Sequence, residues 1–112
     1  MRKSVLMALA FLTLISQVAY ASDTKMSTQW TSTSLSQIEC LKRATNVLWM
    51  KKFTTNQNYS EVSAWGESGP YEALIRCVSE KNVLFFVVIG PSGKKTREYV
   101  DALSTLFEEQ DL

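Results

Sequence analysis

Four groups of residues have types and spacings that suggest chemistry. Gly90-Pro91-Ser92-Gly93-Lys94-Lys95-Thr96 follows an apolar run and precedes helical periodicity, as a phosphate-binding loop would. Such a loop needs glycine where this chain has Val88, so that backbone N–H groups can close on phosphate. It also needs Ser or Thr where Lys95 stands, to hold magnesium. What survives is a weaker anion contact at a helix start, made by Ser92, Gly93, Lys94, Lys95 and Arg97 through free backbone N–H groups and nearby cations. Ser92 to Lys95 also fits the Ser-x-x-Lys of penicillin-recognising enzymes. Ser22 to Lys25 fits it equally, and the companion motifs are missing. Glu61, Glu67 and Glu72 flank a predicted hairpin, the minimum for a two-carboxylate hydrolase. Cys40 and Cys77 are the only cysteines.

The sequence has no histidine, which removes Ser-His-Asp and Cys-His catalysis and the imidazole metal ligand. No catalytic residue, metal site or cofactor is therefore assigned. Twelve Lys and Arg against 11 Asp and Glu in 112 residues give no basic surplus, which argues against nucleic acid as a partner.

Residues 1–21 read as a signal peptide. Arg2 and Lys3 form a positive start, Val5 to Ile15 is apolar apart from Thr13, and Ala19-Tyr20-Ala21 fits a signal-peptidase site. These eleven residues rise about 16 Å as a helix, roughly half a bilayer core, so no permanent membrane anchor is expected. Cleavage leaves Ser22 to Leu112 in the periplasm or outside the cell, with 10 basic and 11 acidic residues. In an oxidising compartment Cys40 and Cys77 should pair as a disulfide.

The elements that must position these groups follow from the pattern. Residues 22–33, rich in Ser and Thr around Trp30, read as a flexible leader, and residues 34–112 as one α+β domain. Capping boxes at Ser34 and Ser36 predict a helix with Ile38, Leu41, Ala44, Thr45 and Leu48 inward, fading near Lys52 or Phe53. Period two then predicts a strand over Tyr59 to Trp65, a turn over Gly66 to Pro70, and a strand over Tyr71 to Val78. In that second strand Tyr71, Ala73, Ile75 and Cys77 share one face. Val83 to Ile89 is a third strand, apolar throughout. Ser92 caps a second helix with Thr96, Val100, Leu103, Leu106 and Phe107 buried. The expected fold is a two-layer α+β sandwich of order α-β-β-β-α, with a three-stranded antiparallel meander, two helices and one disulfide.

Trp30, Cys40-Leu41, Ala44, Trp65-Gly66, Tyr71, Ile75-Arg76-Cys77 and Phe85 to Pro91 together resemble a set of small exported bacterial α+β domains of uncharacterised function. The resemblance spans residues 30–107. It implies an exported, disulfide-bonded α+β domain, and it carries over no activity, ligand or catalytic residue. Lys52 departs from the small residue expected at the end of the first helix.

A strand that is apolar on both faces needs cover on both. Leu84, Phe86 and Val88 are expected on the face away from the helices, joined there by Trp65, Leu74 and Val78. The Trp30 segment, helices on opposite sides, a partner or an apolar ligand would each supply that cover. These six residues form the expected partner-binding surface of an exported, non-enzymatic interaction protein of the bacterial envelope. The partner would be an envelope protein or a second copy. The alternative is a small secreted hydrolase using Glu61, Glu67 or Glu72.

Overall fold

Of the two serines offered for the first helix, Ser36 rather than Ser34 starts it, and Ser92 starts the second as predicted. In the computed structural model, which describes residues 23–54 and 60–110, Ser36 precedes helix α1 (Gln37–Met50) and its hydroxyl accepts from the Glu39 N–H at 3.3 Å. Ser92 precedes helix α2 (Gly93–Glu109) and accepts from the Lys95 N–H at 3.2 Å. Each hydroxyl satisfies one backbone donor that the first turn leaves without an intrahelical partner. The proposed signal peptide lies outside the described residues.

Four strands rather than three make the sheet. β1 (Lys25–Ser32), β2 (Ser63–Ser68), β3 (Tyr71–Val78) and β4 (Val83–Gly90) pair antiparallel in the order β1-β4-β3-β2, and the element order is β-α-β-β-β-α. The added strand is the segment expected to be a flexible leader. Its pattern is inverted. Ser27, Gln29 and Thr31 point toward α2, where they bond Thr96, Ser104 and Glu108 at 2.8, 3.1 and 2.9 Å. Met26 and Trp30 point away from the helices and are 65% exposed. A strand with hydroxyls inward and aromatics outward carries none of the usual hydrophobic-in alternation, so its composition reads as loop.

The first hairpin starts later than its predicted position. β2 runs through Gly66 to Ser68, leaving a two-residue turn at Gly69-Pro70. Gly69 has φ 58°, and proline cannot follow it with a second positive φ. The turn is therefore of the II′ type, whose twist suits a hairpin. Gly66 is buried, paired with Ala73 inside the sheet.

Both helices lie on one side of the sheet, α1 against β2 and β3, α2 against β1 and β4. The core between the layers holds Cys40, Leu41, Ala44, Val47 and Leu48 of α1, and Val100, Leu103 and Phe107 of α2. It also holds Tyr71, Ala73, Ile75 and Cys77 of β3, with Leu84, Phe86 and Val88 of β4. The α1 stripe is rotated from the predicted one. Leu41, Ala44 and Leu48 are buried as predicted, and so is Cys40, expected at the inward margin of the stripe; Ile38 is exposed and Val47 is buried in its stead. The bond from Cys40 to Cys77 fixes that rotation, because it turns the Cys40 side of the helix onto β3. Its Cα atoms are 6.2 Å apart and it joins the two layers at an interior strand.

Lys52 explains the end of α1. The Lys52 and Phe53 N–H groups donate to the Trp49 and Leu48 carbonyls, both at 2.9 Å. Lys52 takes φ 65°. This is a Schellman ending, with lysine at the left-handed position where glycine is usual. It delivers Phe53 into the core, edge-on to Tyr99 with ring centroids 5.0 Å apart. Thr54 then bridges Glu67 on the outer edge of β2. Lys52→Gly should stabilise the fold by about 1 kcal/mol, because an L side chain in this conformation costs about that much. The expected readout is a higher urea midpoint with unchanged slope; a midpoint equal to or below that of the parent would show that Lys52 makes compensating contacts.

Candidate functional site

The register decides which residues stand on the face turned away from the helices, which no element among the described residues covers. Val78 pairs with Val83, Leu74 with Val87, and Arg76 with Phe85, so even-numbered residues of β3 share a face with odd-numbered residues of β4. Cys77 stands opposite Leu84 and Ile75 opposite Phe86. Leu84, Phe86 and Val88 therefore point at the helices and are fully buried, against the expectation that they form a contact surface. Phe86 meets Phe107 edge-on at 6.0 Å, and the Arg43 guanidinium lies over the Phe107 ring at 5.2 Å. The physical reason is the connection after β3. Four residues, Ser79 to Asn82, turn the chain through a 3₁₀ turn and a left-handed Asn82 with φ 56°, and an even number of turn residues pairs opposite parities.

Trp65, Leu74 and Val78 do lie on the open face, as expected. Their neighbours there are Val83, Phe85, Val87 and Ile89, with Met26 and Trp30 from β1. Phe85 and Trp65 are each 41% exposed. Trp30 extends this apolar face instead of covering it. Across the sheet the residues form rows: Met26, Ile89, Glu72 and Glu67; then Thr28, Val87, Leu74 and Trp65; then Trp30, Phe85, Arg76 and Ser63. A shallow depression of about 310 Å³ on this plate is lined by residues that include Trp65, Leu74, Val87 and Ile89, with Glu67 and Glu72 at its rim.

The three glutamates do not converge. Glu67 and Glu72 are direct partners across the hairpin, whereas Glu61 precedes the opposite end of β2. All three are exposed; Glu67 and Glu72 line the depression on the plate, and Glu61 lines a separate one with Gln37, Val62 and Arg76. Near Glu61, the Gln37 amide joins the start of α1 to the sheet. Its nitrogen donates to the Glu61 and Cys77 carbonyls at 2.9 and 2.8 Å, and its oxygen accepts from the Ser79 N–H at 3.1 Å. Gln37 acts there as a fastening between layers.

At the start of α2, the residues of the expected anion contact adjoin one another. The Ser92 hydroxyl is occupied by its capping bond, and Lys94, Lys95 and Arg97 are exposed around it. Thr96 points inward, bonded to Ser27 and to the Gly93 carbonyl. Among the described residues, no group of three or more His, Cys, Asp or Glu is placed to hold a metal ion. No helix among them is long and apolar enough to cross a membrane.

The open face was legible in part. The double-sided apolar character of β4 is plain in Val83 to Ile89. The parity that sorts those residues was available from the four-residue connection. β1 left no comparable signal. No known family matches the chain, and comparison with curated proteins gives no match.

Proposed function

We propose that this chain is an exported, non-enzymatic interaction domain of the bacterial envelope that docks a protein surface through the open face of its sheet. The observation that carries this reading is the placement of both helices on one side while β4 remains apolar on the other. A sheet with one solvated face normally shows polar residues there. Here Val83, Phe85, Val87 and Ile89 run without interruption, flanked by Trp30 and by Leu74. Apolar patches of this extent mark contact surfaces. Export is supported by the disulfide and by the pattern of Arg2 to Ala21.

Oxidative footprinting tests the reading without knowledge of the partner. Met26, Trp30 and Trp65 should be protected in intact envelopes relative to the dilute purified protein. Trp49 and Met50, exposed on α1 across the sheet, provide internal references. Equal oxidation of the open-face residues in both settings would sink the proposal.

A further inference from the structure

The occupant of the open face can be named from its charges. This step rests on the docking reading above. Glu72 and Arg76 stand on β3 two residues either side of Leu74, each about 7 Å from it along the strand. Both project onto the apolar plate together with Glu67, the cross-strand neighbour of Glu72 on the edge strand β2, and among the described residues none of the three has an ion-pair partner. An uncompensated acid and base on a surface about to be desolvated would oppose docking, unless the incoming surface carries the opposite arrangement.

We propose that the open face pairs with the same face of a second copy. The two-fold axis would run across the strands along the row containing Val87 and Leu74. Rotation about that axis sets Glu72 over the other copy's Arg76, and Arg76 over its Glu72. Leu74 and Val87 meet their own equivalents, and Phe85 meets Ile89. The contact is isologous, so Glu72 and Arg76 of each copy satisfy two ion pairs, while Glu67 on the edge strand lies over the other copy's Ser63 at the margin of the plate, where it keeps its water. Strands of the two sheets stay nearly aligned, the usual geometry of face-to-face sheets. Three strands of eight residues and one of six, spaced about 4.8 Å and rising about 3.4 Å per residue, make a plate of about 500 Å². Two such plates bury about 1,000 Å², the lower bound for a specific interface.

The test is charge exchange in the exported chain, followed by light scattering and sedimentation from about 1 µM to about 1 mM. The parent protein should pass from one to two copies across this range. Arg76→Glu and Glu72→Arg should each weaken pairing at least about tenfold, and the double exchange should restore it to within about threefold. Both positions are exposed, and a urea midpoint no lower than the parent's verifies folding in each variant; Glu72→Arg also removes the like-charge pair with Glu67. A protein that stays monomeric throughout overturns self-pairing, as does a double exchange that fails to restore it. If the monomer's Trp30 and Trp65 are still protected in envelopes, the docking reading stands with a different protein as occupant. Loss of that protection as well would remove both.

Discussion

Phe86→Asp should abolish the folded state, while Phe85→Asp should leave it intact. The two positions are adjacent in sequence and carry the same side chain, yet one ring is fully buried between sheet and helices and the other is 41% exposed on the opposite face. Removing the Phe86 ring forfeits its packing on Phe107 and leaves a cavity, a loss of about 3 to 5 kcal/mol. An unpaired carboxylate in the same place adds several kcal/mol more. A domain of this length has a net stability of only about 5 to 13 kcal/mol. At Phe85 the charge remains hydrated, and the expected change is within about 1 kcal/mol. Circular dichroism and urea denaturation of the two variants provide the comparison. A folded Phe86→Asp with an unfolded Phe85→Asp would mean that the register of β4 is shifted by one residue.

Cys40→Ser should lower stability by about 2 to 5 kcal/mol. The bridge closes a loop across 37 sequence positions, and the chain-entropy relation for that length gives about 4 kcal/mol. Both cysteines are buried between α1 and β3, so the variant also places a serine hydroxyl in an apolar site. Cys77→Ser should behave alike, and the double variant should cost little more than either, because one bond is lost in all three. Urea midpoints with and without reductant separate the terms: reductant should destabilise the parent and leave the variants unmoved. A parent protein whose midpoint is indifferent to reductant would show that the bridge contributes nothing to folding.

These two outcomes depend on different kinds of information. The disulfide was readable from two cysteines and an export pattern, because an oxidising compartment leaves few other fates for such a pair. Helix starts were readable at Ser36 and Ser92, because capping is a local bargain between a side chain and the next turn. The inward stripe of α2 was readable for a related reason: its period is carried by the helix alone. The α1 stripe was misplaced at Ile38, since the apolar face of that helix is broader than the contact it makes, and Cys40 chooses among its sides.

The sheet is where local patterns failed. Leu84, Phe86 and Val88 are chemically interchangeable with Phe85, Val87 and Ile89, so hydropathy alone does not choose between them. The choice is made by register, which Val78 and Val83 set across a four-residue connection. For the candidate site this parity meant that half of the residues expected on the docking surface are core, and Phe85, Val87 and Ile89 take their place. The strand β1 lay further from reach. Its partner β4 follows after 50 intervening residues, and its inward residues are polar because Thr96, Ser104 and Glu108 of α2 meet them with hydrogen bonds.

By itself, then, the chain's order of residues determined the α+β class, the helix starts, the crosslink and the excess of apolar surface on one strand, all of which are local or compositional. Tertiary structure alone decided that a fourth strand joins the sheet and which aromatic rings are left facing out. Those outcomes come from pairings between distant segments, whose free energy depends on what each segment meets rather than on what it is.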